Sequence, residues 1–224
     1  MKVDIVSDTI CPWCYIGKRR FERALSSRPD IEVAVTWRPF QLNPNMPVEG
    51  LDRATYLVGK FGSEERVQEI FDSITDAGRG EDIPFAFDRI SRAPNTVASH
   101  RLIRWAGEAG RQNEAVEVLF RRYFEDGRDI GDVGVLAELA AEAGLDRDEA
   151  LAYLNSDEGA EEVKAEASYV SRLGISGVPC FILDGKYAVS GAQEPEVFVQ
   201  ALDLSLQKAQ EAETGTVETG TAEA

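Results

Sequence analysis

Imidazole, thiol and positive charge are all in short supply in this 224-residue chain. His100 is its one histidine, which excludes a His-rich metal centre and any mechanism that needs two imidazoles. Three cysteines, Cys11, Cys14 and Cys180, fall far below the density of a disulfide-stapled secreted scaffold. Forty acidic side chains against twenty-four basic ones leave a net charge of −16, so a nucleic-acid backbone or an anionic membrane surface is repelled. No stretch approaches the roughly eighteen consecutive apolar residues that a membrane-spanning helix requires. The N-terminus carries Asp4 and Asp8 and has no apolar run of signal-peptide length, so a cytoplasmic location is expected. Thiols are kept reduced there, and closely spaced cysteines are then catalytic or metal-binding rather than structural. With 43% hydrophobic residues the chain can build one compact core or two small ones.

The pattern along the chain falls into three blocks. Val3 to Ser7 alternates apolar and polar residues as a short strand does. Cys11-Pro12-Trp13-Cys14 then opens a helix that carries Cys14, Phe21 and Leu25 on one face, with Pro12 at its first position and Cys11 at the N-cap. Ile31, Val33, Val35, Trp37 and Pro39 recur in period two over Asp30 to Phe40, a second strand, before Pro44 and Pro47 break regular structure. From Leu51 to Leu173 the spacing predicts about six amphipathic helices. The first carries the stripe Val67, Ile70, Phe71 and Ile74 behind a Ser63 cap, and later ones run over Thr96 to Ala109 and Glu114 to Phe124. Asp132 and Asp146 cap two more, and the last spans Glu158 to Leu173. Strand spacing returns at Cys180 to Leu183 and Tyr187 to Ser190, a hairpin around Asp184-Gly185, followed by a helix over Glu194 to Lys208. Residues 211–224 are Glu, Thr, Gly and Ala with a lone valine, a composition that predicts a disordered acidic tail.

The chemistry concentrates in Cys11-Pro12-Trp13-Cys14. Its spacing at a helix start puts both sulfurs on the first turn, close enough to join. At the N-cap, Cys11 faces unpaired backbone N–H groups and the positive end of the helix dipole, which favour thiolate over thiol. Cys14, one turn in and on the buried face, is expected to stay protonated. The roles follow: Cys11 attacks a disulfide and Cys14 resolves the mixed disulfide. No histidine lies between the cysteines, so Cys11 is expected to be less acidified than in a CPHC-type oxidant. Trp13 offers an aromatic edge for an apolar substrate segment. Lys18, Arg19 and Arg20 read as a solvated helix face whose charge salt screens, ahead of the alternative that they add positive potential at the cysteines. Two plainer readings of the pair are buried hydrophobes and half of a zinc site completed by Cys180 and His100. The zinc reading would consume every soft ligand in the chain, and no second Cys-x-x-Cys exists.

Several separated motifs occur in the order found in the FrnE branch of the DsbA family, which the chain resembles from about Met1 to Leu206. They are Cys11-Pro12-Trp13-Cys14, then Trp37-Arg38-Pro39-Phe40-Gln41-Leu42-Asn43-Pro44, then Asn95-Thr96 with His100-Arg101-Leu102. Gly174-Ile175-Ser176-Gly177-Val178-Pro179 and Ser190-Gly191-Ala192-Gln193 complete the series. The resemblance implies an α/β architecture, a thioredoxin fold with a large all-helical insertion. Residues 1–48 and 174–210 would form the thioredoxin-fold domain and 49–173 the insertion. Family members are thiol-disulfide oxidoreductases. The branch is similar to 2-hydroxychromene-2-carboxylate isomerases and kappa-class glutathione transferases, which have serine at the reactive position and use glutathione. Cys11 at that position favours disulfide exchange over isomerisation. The resemblance further implies that Pro179 is cis and lies against the cysteine pair, while the Val178 backbone pairs with an extended substrate.

Cys180 departs from the family, where Phe or Thr follows this proline. It reads as a small buried residue opening a strand, ahead of a third thiol able to trap Cys11 or Cys14. His100 reads as a hydrogen-bonded packing residue ahead of a proton shuttle. The expected function is therefore dithiol-disulfide exchange, with Cys11 and Cys14 catalytic and with Pro12, Trp13, Val178 and Pro179 binding substrate. No metal and no resident cofactor are expected, glutathione being left open as a co-substrate. The partner is a disulfide-containing protein or small molecule, and monomer and homodimer both stay open. A glutathione-dependent isomerase or transferase, and a chaperone-like binding protein, are the alternatives.

Overall fold

Val3 and Ile5 point to one side of the first strand and Val6 to the other, and all three are buried, so this strand needs cover on both faces. In the computed structural model, which describes residues 1–215, it gets that cover. Strand β1 (Lys2–Ser7) leads into α1 (Pro12–Ser27), whose start carries Pro12 inside and Cys11 at the cap, and α1 returns to β2 (Ala34–Pro39). The insertion opens with a two-residue strand β3 (Leu51–Asp52) and α2 (Arg53–Phe61), followed by α3 (Glu64–Arg79) and a single 3-10 turn at Phe87–Arg89. Strand β4 (Arg92–Ala93) pairs with β3, and then come α4 (Val97–Glu108), α5 (Gln112–Phe124), α6 (Val133–Glu142), α7 (Arg147–Asn155) and α8 (Ala160–Arg172). The chain re-enters the sheet through β5 (Cys180–Leu183) and β6 (Tyr187–Ser190) and ends its described part in α9 (Pro195–Gly215).

The four-stranded sheet has the order β2-β1-β5-β6. Strand β1 runs parallel to β2, with Ile5 opposite Trp37, and antiparallel to β5, with Val6 opposite Cys180. Strand alternation then sorts the cores. On one face Phe181 meets Phe21 of α1 and Phe198 of α9, with ring centroids 5.2 and 4.6 Å away. On the other face Val6, Cys180 and Phe40 pack with Val170 of α8. Beside them Arg38 bridges Asp4 and Glu166, both at 2.9 Å, and so ties β2 to β1 and α8. One continuous apolar cluster joins α1 and the sheet to α4, α5, α6 and α7, so the insertion shares its core with the sheet domain. The chain thus has the expected α/β architecture, a thioredoxin-like sheet domain interrupted by a helical insertion.

Caps expected from sequence are present: the side chains of Ser63, Asp132 and Asp146 each accept a backbone N–H of the first turn they precede. Three expectations need correction. The described insertion holds seven α-helices instead of about six, because α2, capped by Asp52, buries no residue fully and so shows no core-facing stripe in sequence. Helix α9 continues past Lys208 to Gly215, helped by Gln207 and Lys208 side chains that reach Glu211. Residues 211–215 of the expected disordered tail are therefore helical, and 216–224 lie outside the described residues. The third correction concerns the solvated face expected for Lys18, Arg19 and Arg20. Lys18 is only 5% exposed and pairs with Glu22 and with Glu117 of α5, the latter at 2.6 Å. Arg19 also binds Glu117, at 2.5 Å, while Arg20 and Arg23 share the buried Glu81, each at 2.9 Å. The insertion supplies acids where sequence alone shows only a basic run.

Candidate active site

Strand β1 ends at Ser7, and the four residues after it turn the chain into α1. Asp8 controls that turn. It is wholly buried, its backbone carbonyl accepts the Cys11 N–H at 3.0 Å, and its carboxylate accepts the N–H groups of Leu42 at 2.7 Å and Ile10 at 3.4 Å. The carboxylate thus fastens the cysteine turn to the segment that follows β2. His100 stands behind it, with Nε2 3.1 Å from the Phe40 carbonyl and 3.7 Å from the Asp8 carboxylate. A carbonyl can only accept, so Nε2 carries a proton and His100 is the hydrogen-bonded packing residue expected for it. Neither Asp8 nor this use of His100 is signalled by spacing.

Cys11 sits at the N-cap with extended backbone, and no side chain caps the helix in its place. No acidic residue occupies the first turn of α1, so the positive dipole end at Cys11 meets no carboxylate from the helix itself. Cys14 follows one turn in, its N–H donating to the Cys11 carbonyl at 3.0 Å. Both thiols are free and buried. Burial first, and then the hydrogen bond and charge of Cys11, push the Cys14 thiol well above its usual pKa, with the Ser7 hydroxyl and Asp8 backbone pulling weakly the other way.

The Val178–Pro179 peptide is cis, and the Val178 carbonyl lies 3.7 Å from Cys11 Sγ. The two ends of the sheet domain therefore meet at the cysteine pair. Gly17 makes this possible. A Cβ there would stand 2.9 Å from Pro179 Cγ and 3.4 Å from Phe181, so only glycine lets α1 approach the proline so closely. Cys180, although next in sequence, points to the opposite face of the sheet and packs with Val6, Phe40 and Val170. Burial raises its pKa, as it does for an inert structural thiol. The buried reading holds for it. Among the described residues, no group of three or more His, Cys, Asp or Glu side chains comes together to hold a metal ion.

Cys11, Pro12, Trp13 and Val178 all line one cavity of about 360 Å³ between the sheet domain and the insertion, and Trp13 is 37% exposed at its mouth. The far wall comes from residues that the sequence did not assign to the site: Arg53, Tyr56, Lys60 and Phe61 on α2, Ile70 and Phe71 of the α3 stripe, then Phe87 and Tyr123. The spacing Arg53, Tyr56, Leu57, Lys60 is itself a helical stripe, and it faces a groove instead of a core. No described helix is long and apolar enough to cross a membrane.

Comparison with known proteins bears on the whole of this arrangement. Residues 2–203 match the family model of the DSBA-like thioredoxin domain. A probable DsbA oxidoreductase from Streptomyces coelicolor superposes with a TM-score of 0.84 at 38% identity, covering 92% of this chain and 90% of that one. The uncharacterized protein YwbO of Bacillus subtilis strain 168 is 27% identical over 202 residues, which are 89% of this chain and 94% of YwbO. The cytosolic disulfide reductase DsbM from Pseudomonas aeruginosa, solved with GSH, shares the fold at 20% identity and a TM-score of 0.64, covering 92% of this chain and all of that one.

Proposed function

The chain belongs to the DSBA-like thioredoxin domain family, and from that premise we propose that it exchanges disulfides through Cys11 and Cys14 in the cytoplasm. One observation carries the reading: the Cys11 sulfur stands at the uncapped start of α1 against the Val178 carbonyl, with Cys14 buried one turn behind. Cys11, at the start of α1 and lining the cavity, is the attacking sulfur in this reading. Cys14, held protonated by burial, waits until a mixed disulfide forms on Cys11 and then displaces the bound thiol. Trp13, Pro12, Val178 and Pro179 frame the approach of the substrate. Direction of exchange depends on the potential of the pair against that of its compartment. Glutathione is the thiol co-substrate we favour, a choice supported by the Pseudomonas aeruginosa reductase solved with it. The same protein is named cytosolic, which supports the location.

The reading is tested with insulin reduction by dithiothreitol. The wild-type protein should accelerate it and Cys11→Ser should not, while Cys14→Ser should accumulate a mixed disulfide on Cys11. Acceleration that survives Cys11→Ser would refute the assignment.

A further inference from the structure

Resting on that disulfide-exchange reading, we propose that the groove beside Cys11 takes small disulfides that join an aromatic body to an anionic group, with Arg53 and Lys60 receiving the anion. The cavity of about 360 Å³ has the size of a small-molecule site, and Cys11 opens into it. Its walls supply the aromatic contact: Phe71 and Phe87 stack at 4.5 Å, with Phe61 and Tyr56 nearby on α2. Its charge is one-sided. In a chain of net charge −16, the charged residues lining this cavity are both cations, Arg53 and Lys60.

Neither cation forms an ion pair with a carboxylate among the described residues, although both are held in place. Arg53 donates to the Phe87 carbonyl at 3.0 Å and lies over the rings of Phe71 and Phe87, at 4.7 and 5.5 Å. Lys60 donates to the Tyr56 hydroxyl at 3.2 Å. Burial lowers the pKa of Arg53, as expected for a guanidinium taken from water with no acid to answer it. A partly buried cation without a counter-ion is costly, and an anion arriving with the substrate removes that cost. An extended polypeptide backbone brings no net charge to these two positions. A compact aromatic anion fits both the walls and the charge.

The step balances within the protein. Cys11 thiolate attacks one sulfur of R–S–S–R, the S–S bond breaks, and R–S⁻ leaves. Cys14 then attacks Cys11, its proton passing to a departing thiolate, so that the second R–S group leaves and the Cys11–Cys14 disulfide forms. Two electrons pass from the dithiol to the substrate, and a single turnover requires no other reductant.

Reduced protein mixed rapidly with 5,5′-dithiobis(2-nitrobenzoate) or with neutral 4,4′-dithiodipyridine tests the proposal. Each rate is divided by that of free cysteine with the same compound, which cancels intrinsic reactivity. The normalised ratio of anionic to neutral rates should reach about ten-fold or more in the wild-type protein. Lys60→Gln, at an exposed position that threatens no core, should lower the ratio, and Arg53→Gln with Lys60→Gln should bring it close to unity. A wild-type ratio near unity, or one that neither variant moves, overturns the anion site and leaves disulfide exchange standing. Reduction of neither compound ends both.

Discussion

Two groups of cations flank the cysteine pair, and they are treated in opposite ways. Along α1, Lys18, Arg19, Arg20 and Arg23 all meet acids, Glu117 and Glu81 reaching in from the insertion and Glu22 from the helix itself. Across the groove, Arg53 and Lys60 meet aromatic rings, a carbonyl and a hydroxyl instead. The first group is a clamp: its charges are matched inside the protein and hold the reactive helix to the insertion. The second leaves its charge open to whatever enters. Proximity to the cysteines does not separate the two groups, but the presence of an internal partner does.

The sharpest way to break this contrast is to unpair the clamp. Glu117→Gln leaves Lys18 with Glu22 alone and Arg19 without its closest acid, and should cost about 3 kcal/mol, the lower end of the range for breaking a buried pair because Glu117 keeps some exposure. For a chain of this size that is a fall in Tm of roughly 5–10 °C. Acid should expose the same pairing. Burial alone would raise the Glu117 pKa, but the hydrogen bond from Arg19 and the charge of Lys18 win and hold it below the usual glutamate value. A carboxyl depressed in the folded state stabilises above its unfolded pKa of about 4.3 and loses that contribution as pH falls through the folded value. Wild-type stability should therefore fall more steeply below about pH 5 than that of Glu117→Gln. Equal slopes, with an unchanged Tm at pH 7, would make the clamp a surface ornament.

A smaller effect is expected where α1 meets the cis proline. Gly17→Ala puts a methyl 2.9 Å from Pro179 Cγ, and neither a helix nor a proline ring yields easily. The cost should be about 1–2 kcal/mol of stability. Exchange should slow as well, since relief of the clash moves Pro179 and Val178 from Cys11. Wild-type rates of insulin reduction in the Gly17→Ala variant would show that this approach is packing without functional weight.

What sequence could deliver divides along the same line. The Cys11-Pro12-Trp13-Cys14 turn, the sheet strands, most helices and the position of Pro179 were legible because each depends on local spacing, caps or an ordered series of motifs. The groove wall was not. Helix α2 buries nothing fully, so its stripe of Arg53, Tyr56 and Lys60 lacks the apolar periodicity that marks a core helix. The clamp was misread for a related reason. Glu81 and Glu117 lie dozens of residues from α1, and a basic run looks solvated until its distant acids are in place. Asp8 escaped notice because its work is to accept two backbone N–H groups, a role that leaves no trace in pattern.

The mildest substitution sharpens the contrast most. Arg53→Met removes a hydrogen bond to the Phe87 carbonyl, worth about 0.5–1.5 kcal/mol, and stacking on two rings worth about as much. It also removes a half-buried charge that has no acid to answer it, which acts in the other direction. Met retains apolar contact with Phe71 and Phe87, so the net change should stay within about 1 kcal/mol of wild type, well below that of Glu117→Gln. The two proteins should differ once an anion is present. Added 2-nitrobenzoate, which has no disulfide to reduce, should raise the Tm of the wild-type protein as any ligand of the folded state does, and raise that of Arg53→Met less. If Arg53→Met instead costs as much as Glu117→Gln with no anion present, the groove cation is a structural element like those of α1, and the distinction between a matched clamp and an open site fails.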